Sequence, residues 1–170
     1  EESRIADPAD KTRIFSWLIC QSYDDKGNAM AYSYAEENDD YVNVSLANER
    51  NRTTRSRSAQ RYLDRIRYGN RVTTLDNNGQ RPVKLTDAKL DGLDWMFEVV
   101  FDYEQGYYTQ ADADADKRVF STARIDADPA VKWPVRKDPF SSHRSGWEVR
   151  TYRLCRRVLM FHHFPVELGT

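Results

Sequence analysis

Alternating apolar and polar residues mark several extended segments along the chain. Residues 12–23 are rich in aromatic and β-branched side chains, a composition that favours a strand. A polar turn containing Gly27 follows, and residues 29–36 then alternate with period two. Two such segments joined by a short glycine-containing turn predict a β-hairpin.

The clearest strand pattern covers residues 94–103. Its apolar, mostly aromatic residues share one face, which we expect to pack on a core: Trp95, Phe97, Val99, Phe101 and Tyr103. Residues 60–68 fit a helix face or a strand face, and the frequent aromatic and β-branched residues of this short run favour a strand.

The closing segment, residues 146–164, is too long for a single strand, and its alternation changes parity part-way. Trp147, Val149 and Thr151 form the apolar side first, and residues of opposite parity replace them later. Because a parity switch requires a bulge, bend or break, we predict one between Tyr152 and Arg157.

Polar connections separate these segments. We predict mobile loops at about 37–58, 71–92 and 104–145. The second contains turn residues, and prolines interrupt the third, so no helix of ordinary length fits there. The basic run 50–58 is interpreted as part of a solvated loop and not as a phosphate contact. The predicted fold class is mainly β, with antiparallel hairpins and a sheet carrying long polar loops.

Composition limits the possible functions. The chain has 170 residues, 26 Lys and Arg, and 27 Asp and Glu, so its charge gives no reason to expect nucleic-acid binding. No apolar stretch approaches the ~20 residues of a membrane helix, so we expect no direct membrane insertion. Cys20 and Cys155 lie in apolar runs and are predicted to be buried free thiols. The first residues lack both Met and a signal-peptide pattern, which favours an excised segment of a longer protein.

Candidate metal ligands are few. The adjacent His162 and His163 point to opposite faces of a strand and cannot chelate as a pair, so we expect one half-buried and one exposed histidine; His143 stands apart. Asp112, Asp114 and Asp116 match the start of a calcium loop, but Lys117 and Ala123 replace its glycine and bidentate glutamate. We therefore interpret the run as an acidic loop and predict no metal site.

Catalytic motifs are also missing from the sequence. It contains no G-x-S-x-G, no glycine-rich phosphate loop, and no Cys or Ser in a recognisable motif with His. We therefore predict no catalytic residue and no cofactor site, and classify the segment as non-enzymatic.

An ordered series of short motifs is more specific. It begins with Arg61-Tyr62-Leu63 and Ile66-Arg67-Tyr68-Gly69-Asn70, continues through Val99-Val100-Phe101-Asp102-Tyr103 and Lys137-Asp138-Pro139-Phe140-Ser141, and ends with Gly146-Trp147-Glu148-Val149-Arg150, Arg153-Leu154-Cys155-Arg156 and Val158-Leu159-Met160-Phe161-His162-His163-Phe164-Pro165. The series resembles the SpvB-type domain of bacterial toxin-complex B components and virulence-plasmid proteins. The resemblance covers nearly the whole chain, and residues 1–170 are interpreted as a fragment of one such domain.

The resemblance implies a structural role. In toxin complexes the B component and its C partner form a hollow β-shell around a toxic segment, which leaves through the A component. The resemblance therefore implies that the partners are C and A components. It also implies assembly in the bacterial cytoplasm, followed by secretion. The ADP-ribosyltransferase domain found in some family proteins carries E-x-E and S-T-S motifs, and this chain has neither.

Two alternatives stay open at this point. The chain is a carbohydrate- or protein-binding β module if aromatics such as Trp133 and Trp147 are exposed. The second alternative is a fragment of an ADP-ribosylating toxin, which is less favoured because this chain lacks the E-x-E and S-T-S motifs.

Overall fold

A five-stranded antiparallel sheet forms the centre of the structure, a computed structural model that describes residues 2–110, 114, 118 and 121–168. The strand order is β11-β6-β5-β4-β3. These strands span Gln21–Tyr23 (β3), Ala29–Glu36 (β4), Arg61–Asn70 (β5), Trp95–Asp102 (β6) and Arg157–His162 (β11). The mainly β, antiparallel fold class is confirmed.

The predicted hairpin is β3–β4. Asp24 accepts hydrogen bonds from the backbone N–H groups of Lys26 and Asn28, and Gly27 has a φ of +90°. A Cβ atom at Gly27 would lie 2.0 Å from the Thr73 hydroxyl, so both the backbone angle and the close approach require glycine.

The preceding strand is interrupted. Residues 12–23 were expected to be one strand, but they divide into β2 (Ile14–Trp17) and β3. β2 pairs with β1 (Arg4–Ala6) in a separate two-stranded sheet. Composition identifies extended residues here, whereas pairing partners decide where one strand stops.

Within the described residues, two more short hairpins and three short helices complete the fold. β7 (Tyr108–Gln110) pairs with β8 (Ser121–Ala123), and β9 (Phe140–Ser142) pairs with β10 (Val149–Thr151). The helices are α1 (Thr54–Arg57), α2 (Asp87–Asp91) and α3 (Pro165–Leu168). β10 and β11 lie in different sheets, which confirms the predicted break between Tyr152 and Arg157.

The strand register separates the two faces of the central sheet. One face, called the apolar face below, consists of three cross-strand rows: Met30–Tyr68–Phe97–His162, Tyr32–Ile66–Val99–Met160 and Phe101–Val158. The opposite or charged face consists of Ala31–Arg67–Glu98–Phe161, Ser33–Arg65–Val100–Leu159 and Asp102–Arg157.

Burial of these faces reverses the expectation for residues 94–103. Glu98, Val100 and Asp102 on the charged face are buried, whereas no residue of the apolar face is. Of the aromatic side predicted to pack on a core, only the end residues Trp95 and Tyr103 are buried. Phe97, Val99 and Phe101 between them are half-buried, and Phe101 packs against a buried aromatic cluster, so the prediction is wrong for Phe97 and Val99 only.

Two small apolar clusters anchor those connections. The first joins strand β4 to α2 and its neighbours and contains Ala29, Ala31, Leu85, Leu90, Leu93 and Trp95. The second contains Tyr62, Tyr103 and Trp133, with their rings in edge-to-face contact. Trp133 is 3% exposed, which removes it from the alternative in which exposed aromatics bind a carbohydrate or a protein.

The loop predictions need revision. Segment 37–58 was expected to be solvated, yet Glu37, Glu49 and Arg57 are buried within it. Segment 71–92 likewise buries Leu85 and Leu90. The mobility of these segments and of 104–145 stays a prediction.

The cysteines are free, as predicted, but Cys20 is exposed and Cys155 is half-buried, so the expected burial is wrong. Among the described residues, no helix has the length and apolarity needed to cross a membrane.

Candidate functional site

An arginine–glutamate pair is the most deeply buried polar feature. The side chains of Arg153 and Glu37 are both fully buried and form a bidentate contact, with Arg153 Nε 2.9 Å from Glu37 Oε2. Arg153 Nη1 also donates to the carbonyl oxygens of Asp40 and Trp133. The Trp133 ring lies 4.6 Å from the guanidinium carbon, a cation–π distance.

The remaining acceptors of Glu37 are also occupied. Its Oε1 accepts from the backbone N–H groups of Asn38 and Asp39, and Oε2 accepts from the Tyr62 hydroxyl at 3.0 Å. That hydroxyl in turn accepts from the Tyr152 N–H. Burial, and then the charge of Glu37, raise the pKa of Tyr62 far above its ordinary value, so the phenol stays protonated.

Glu49 forms a second centre beside the first. Arg57 Nε lies 3.2 Å from Glu49 Oε2, Arg150 Nε lies 3.2 Å from Oε1, and the Tyr152 hydroxyl donates to Oε2 at 2.7 Å. Burial alone would raise the pKa of Glu49, but hydrogen bonds from Tyr152 and Arg57 outweigh it and lower the pKa. Burial, and then the Glu49 carboxylate, raise the pKa of Tyr152 to about 12.

An outer pair completes the arrangement. Arg52 donates two hydrogen bonds of 2.7 Å to Glu148, which also accepts from the Ser141 hydroxyl. The bonds from Arg52 lower the pKa of Glu148 to about 2. The buried charge network is defined here as Glu37, Glu49, Arg57, Tyr62, Arg150, Tyr152 and Arg153, with Arg52 and Glu148 at its outer edge.

The network is suited to holding segments together and not to catalysis. Its central charges are buried, and each carboxylate is already paired with arginine and tyrosine groups. A general base needs a free lone pair within reach of a substrate, and neither Glu37 nor Glu49 offers one. The network instead joins the irregular segment 37–58 to strands β5 and β10.

A surface cleft of about 560 Å³ lies between β4 and α2. Its ionisable lining includes Arg67, Lys84, Asp87 and Asp91, and Arg67 lies 3.5 Å from Asp91. Cys20 also lines it, but none of the three histidines does. The described lining therefore contains no nucleophile–base pair of the kind used in covalent catalysis.

The other predicted features are distributed around the molecule. His162 is exposed and His163 half-buried, as expected, and His163 Nε2 lies 3.1 Å from Glu98. Asp112 and Asp116 lie outside the described residues, while Asp114 pairs with Arg118. Across the described part of the chain, no group of three or more His, Cys, Asp or Glu is close enough to hold a metal.

Three of the four arginines in the basic run 50–58 have partners within the chain, while Arg50 is exposed. Arg52 binds Glu148, Arg57 contacts Glu49 and Asp39, and Arg55 donates to the Pro8 and Ala9 carbonyls. The interpretation of the run as part of a solvated loop is therefore wrong for the buried Arg57.

Comparison with known proteins shows the family. The model of the family described as Salmonella virulence plasmid 65kDa B protein, SpvB, matches residues 1–164. The chain belongs to the SpvB family. Over 168 residues, or 98% of its length, it is 36% identical to the mono(ADP-ribosyl)transferase SpvB of Salmonella typhimurium strain 14028s / SGSC 2262. This SpvB-family chain spans only 25% of that relative's length.

Three solved structures have a similar fold over nearly the whole of this chain. The N-terminal domain of effector protein SpvB from Salmonella typhimurium strain LT2 matches 99% of this chain with a TM-score of 0.75 and 36% identity, and 46% of that domain's chain is covered. The crystal structure of TcdB2-TccC3 without its hypervariable C-terminal region matches 99% of this chain at a TM-score of 0.71 and 30% identity, with 7% of that chain covered. The structure of the Photorhabdus luminescens Tc holotoxin pore matches 95% of this chain with a TM-score of 0.67 and 32% identity. The match covers 6% of that chain.

Sequence reasoning missed the buried charge network. Tyr62 and Arg153 belong to motifs that carried the family resemblance, but nothing marked them as buried. Glu49 and Arg57 lie in a segment whose composition is typical of a solvated loop. The available signal was the motif series itself, which places both Arg153 and Tyr62 in a family pattern without showing their contacts.

Proposed function

We propose that residues 1–170 form a non-catalytic structural segment within a single SpvB-type domain of a bacterial toxin-delivery protein. In this role the segment contributes strands to the wall of a shell that encloses and delivers a toxic segment. Its proposed partners are the C and A components of a toxin complex. Assembly takes place in the bacterial cytoplasm and is followed by secretion.

The buried charge network is the observation that carries this proposal. Its two central carboxylates are paired with arginine and tyrosine groups of the network and withdrawn from solvent, which fits a rigid wall segment. The likeness to chains of TcdB2-TccC3 and of a Tc holotoxin pore supports the toxin-complex setting.

The name of the curated relatives includes a transferase activity, which we assign to residues outside this segment. The matched part of SpvB has the fold of its N-terminal domain, and this chain contains neither Glu-x-Glu nor Ser-Thr-Ser. A carbohydrate-binding role gains no support, since Trp133 is buried and Trp147 is half-buried between Phe15 and Arg13.

The test uses the natural full-length protein that contains these residues, expressed with the products of its neighbouring genes. We expect it to purify in a large assembly that protects an internal segment from protease. Arg153→Met lowers the yield of that assembly, and the exposed-pair control Arg124→Met does not. NAD hydrolysis by purified residues 1–170, or an unprotected protein that purifies alone, contradicts the proposal.

A further inference from the structure

The apolar face of the central sheet is only partly covered by the described residues: Phe101 packs against the Tyr62–Tyr103–Trp133 cluster and Phe164 against Phe97, while the β11 side of the face stays exposed. Val158 is 57% exposed and Met160 is 62% exposed, and the inner residues Ile66, Phe97 and Val99 are only half-buried. Isolated exposed apolar residues are common, but contiguous rows across four strands mark a contact surface. The chain's own connections bury the opposite face at Glu98, Val100 and Asp102 and reach the apolar face only at its Phe101 end.

The chemistry of the face limits what binds it. Its three rows contain one titratable side chain other than tyrosine, His162, and no Asp, Glu, Lys or Arg. The aromatic rings are already ordered, with Tyr68 stacked on Phe97 at 5.1 Å and Phe164 in edge contact at 5.6 Å. A flat, preformed and uncharged sheet face fits a second apolar layer about 10 Å away, as in sheet-on-sheet packing.

The outer edge of the sheet extends the same surface. β11 pairs only with β6 among the described strands, so its other side presents backbone N–H and C=O groups to a further strand. An occupant that packs on Met160 and Val158 therefore also has an open strand edge beside it.

We infer that this face docks the remaining polypeptide of the same SpvB-type domain as an apolar, strand-rich layer. The inference rests on the proposed structural function. The chain aligns along 99% of its own length with only 46% of the solved SpvB N-terminal domain, so more than half of that domain's chain lies outside the matched part. A cover joined to the same chain binds at high effective concentration, which favours it over a second molecule.

The test measures side-chain accessibility in the longest natural protein that contains these residues. Cys20→Ser and Cys155→Ala remove the native thiols, and a single probe is then introduced as Val158→Cys or, independently, Met160→Cys. The matched control is Val83→Cys, because Val83 is 99% exposed and its carbonyl accepts a hydrogen bond from Tyr23 on β3, the edge strand opposite β11. Maleimide labelling is followed by mass spectrometry under native conditions.

We expect both face probes to react at least ~10-fold more slowly than the control in the longer protein, and at about the control rate in residues 1–170 alone. Equal rates for face and control probes in the longer protein overturn the inference. A natural reading frame that encodes no further part of the SpvB-type domain beyond these residues also overturns it. Protection that grows with the concentration of residues 1–170, accompanied by a dimer in sedimentation, overturns it in favour of a second copy.

The two proposals fail separately. Protected face probes in a protein that forms no protease-resistant assembly leave the docking inference standing and contradict the shell function. A normal assembly in which Val158→Cys and Met160→Cys react freely leaves the shell function standing and contradicts the docking inference.

Discussion

The buried charge network and the apolar face of the sheet reverse the usual distribution of side chains. Arg153 and Glu37 are withdrawn from solvent, while Val158 and Met160 on a regular strand are more than half exposed. Charges are normally buried only with partners, and the network supplies those partners within the chain. An apolar face requires only matching shape, so another layer can cover it.

The contrast shows which parts of this fold are specified internally. The network depends on residues separated by about a hundred positions, and removal of one member leaves another charge unpaired. The apolar face already has its side chains in place on paired strands, and it loses little order without a cover.

Breaking the central ion pair has the largest expected effect. Arg153→Met leaves the Glu37 carboxylate buried without its cation, which we expect to cost about 3–5 kcal/mol of unfolding free energy. Chemical denaturation of residues 1–170 measures this loss. Adding Glu37→Gln removes the orphaned charge and restores part of the stability.

The control is Arg124→Met, which removes an exposed pair with Asp128 and costs less than about 1 kcal/mol. Equal losses of unfolding free energy for Arg153→Met and Arg124→Met would show that the buried pair contributes no more to stability than an exposed pair.

Neighbouring valines on β6 test the two faces directly. Val100 is 0% exposed on the charged face, so Val100→Ala leaves a cavity and costs about 2 kcal/mol. Val99 is half-buried on the apolar face, and Val99→Ala in residues 1–170 costs less than about 1 kcal/mol. Denaturant midpoints compare them, and a larger loss for Val99→Ala contradicts the assignment of faces.

Alkaline pH weakens the network. Tyr152 has an ordinary pKa of 10.0 and a folded-state pKa of about 12, so the folded state retains its proton where the unfolded chain loses it. The associated stability is complete below pH 10 and is lost as pH rises towards 12, by on the order of 2 kcal/mol. Tyr152→Phe flattens this loss in denaturation curves between those pH values, and an unchanged slope refutes the assignment.

Acid has the opposite sign and a smaller effect. The hydrogen bonds from Arg52 lower the pKa of Glu148 from 4.5 to about 2, so its contribution to stability is present above pH 4.5 and is lost as pH falls to 2. Solvent reaches part of this pair, and we expect a loss on the order of 1 kcal/mol. Thermal melts of the wild type and of Glu148→Gln between pH 2 and 4.5 measure this loss. If the melting temperatures of the two proteins fall in parallel with pH, Glu148 does not contribute to stability in this range.

Local patterns predicted the strands better than they predicted burial. The 29–36 strand, its glycine turn and the break before Arg157 follow from alternation and turn chemistry, which act between near neighbours. The inward direction of β6 did not follow, because alternation separates two faces without identifying which one is covered. Glu98 and Asp102 lie on the covered side because Arg65 and Arg157 reach them across strands.

The sequence by itself determined the antiparallel strands, the hairpin at Gly27, the lack of a recognised catalytic motif and the family resemblance. These depend on residue types and short spacings. Only the tertiary structure decided that Glu37 and Arg153 meet, that Trp133 is buried and that Val158 and Met160 on the apolar face stay exposed. These three features depend on contacts between segments that are distant in the sequence. A charged residue in a polar loop is buried only when a partner from another part of the chain pairs with it.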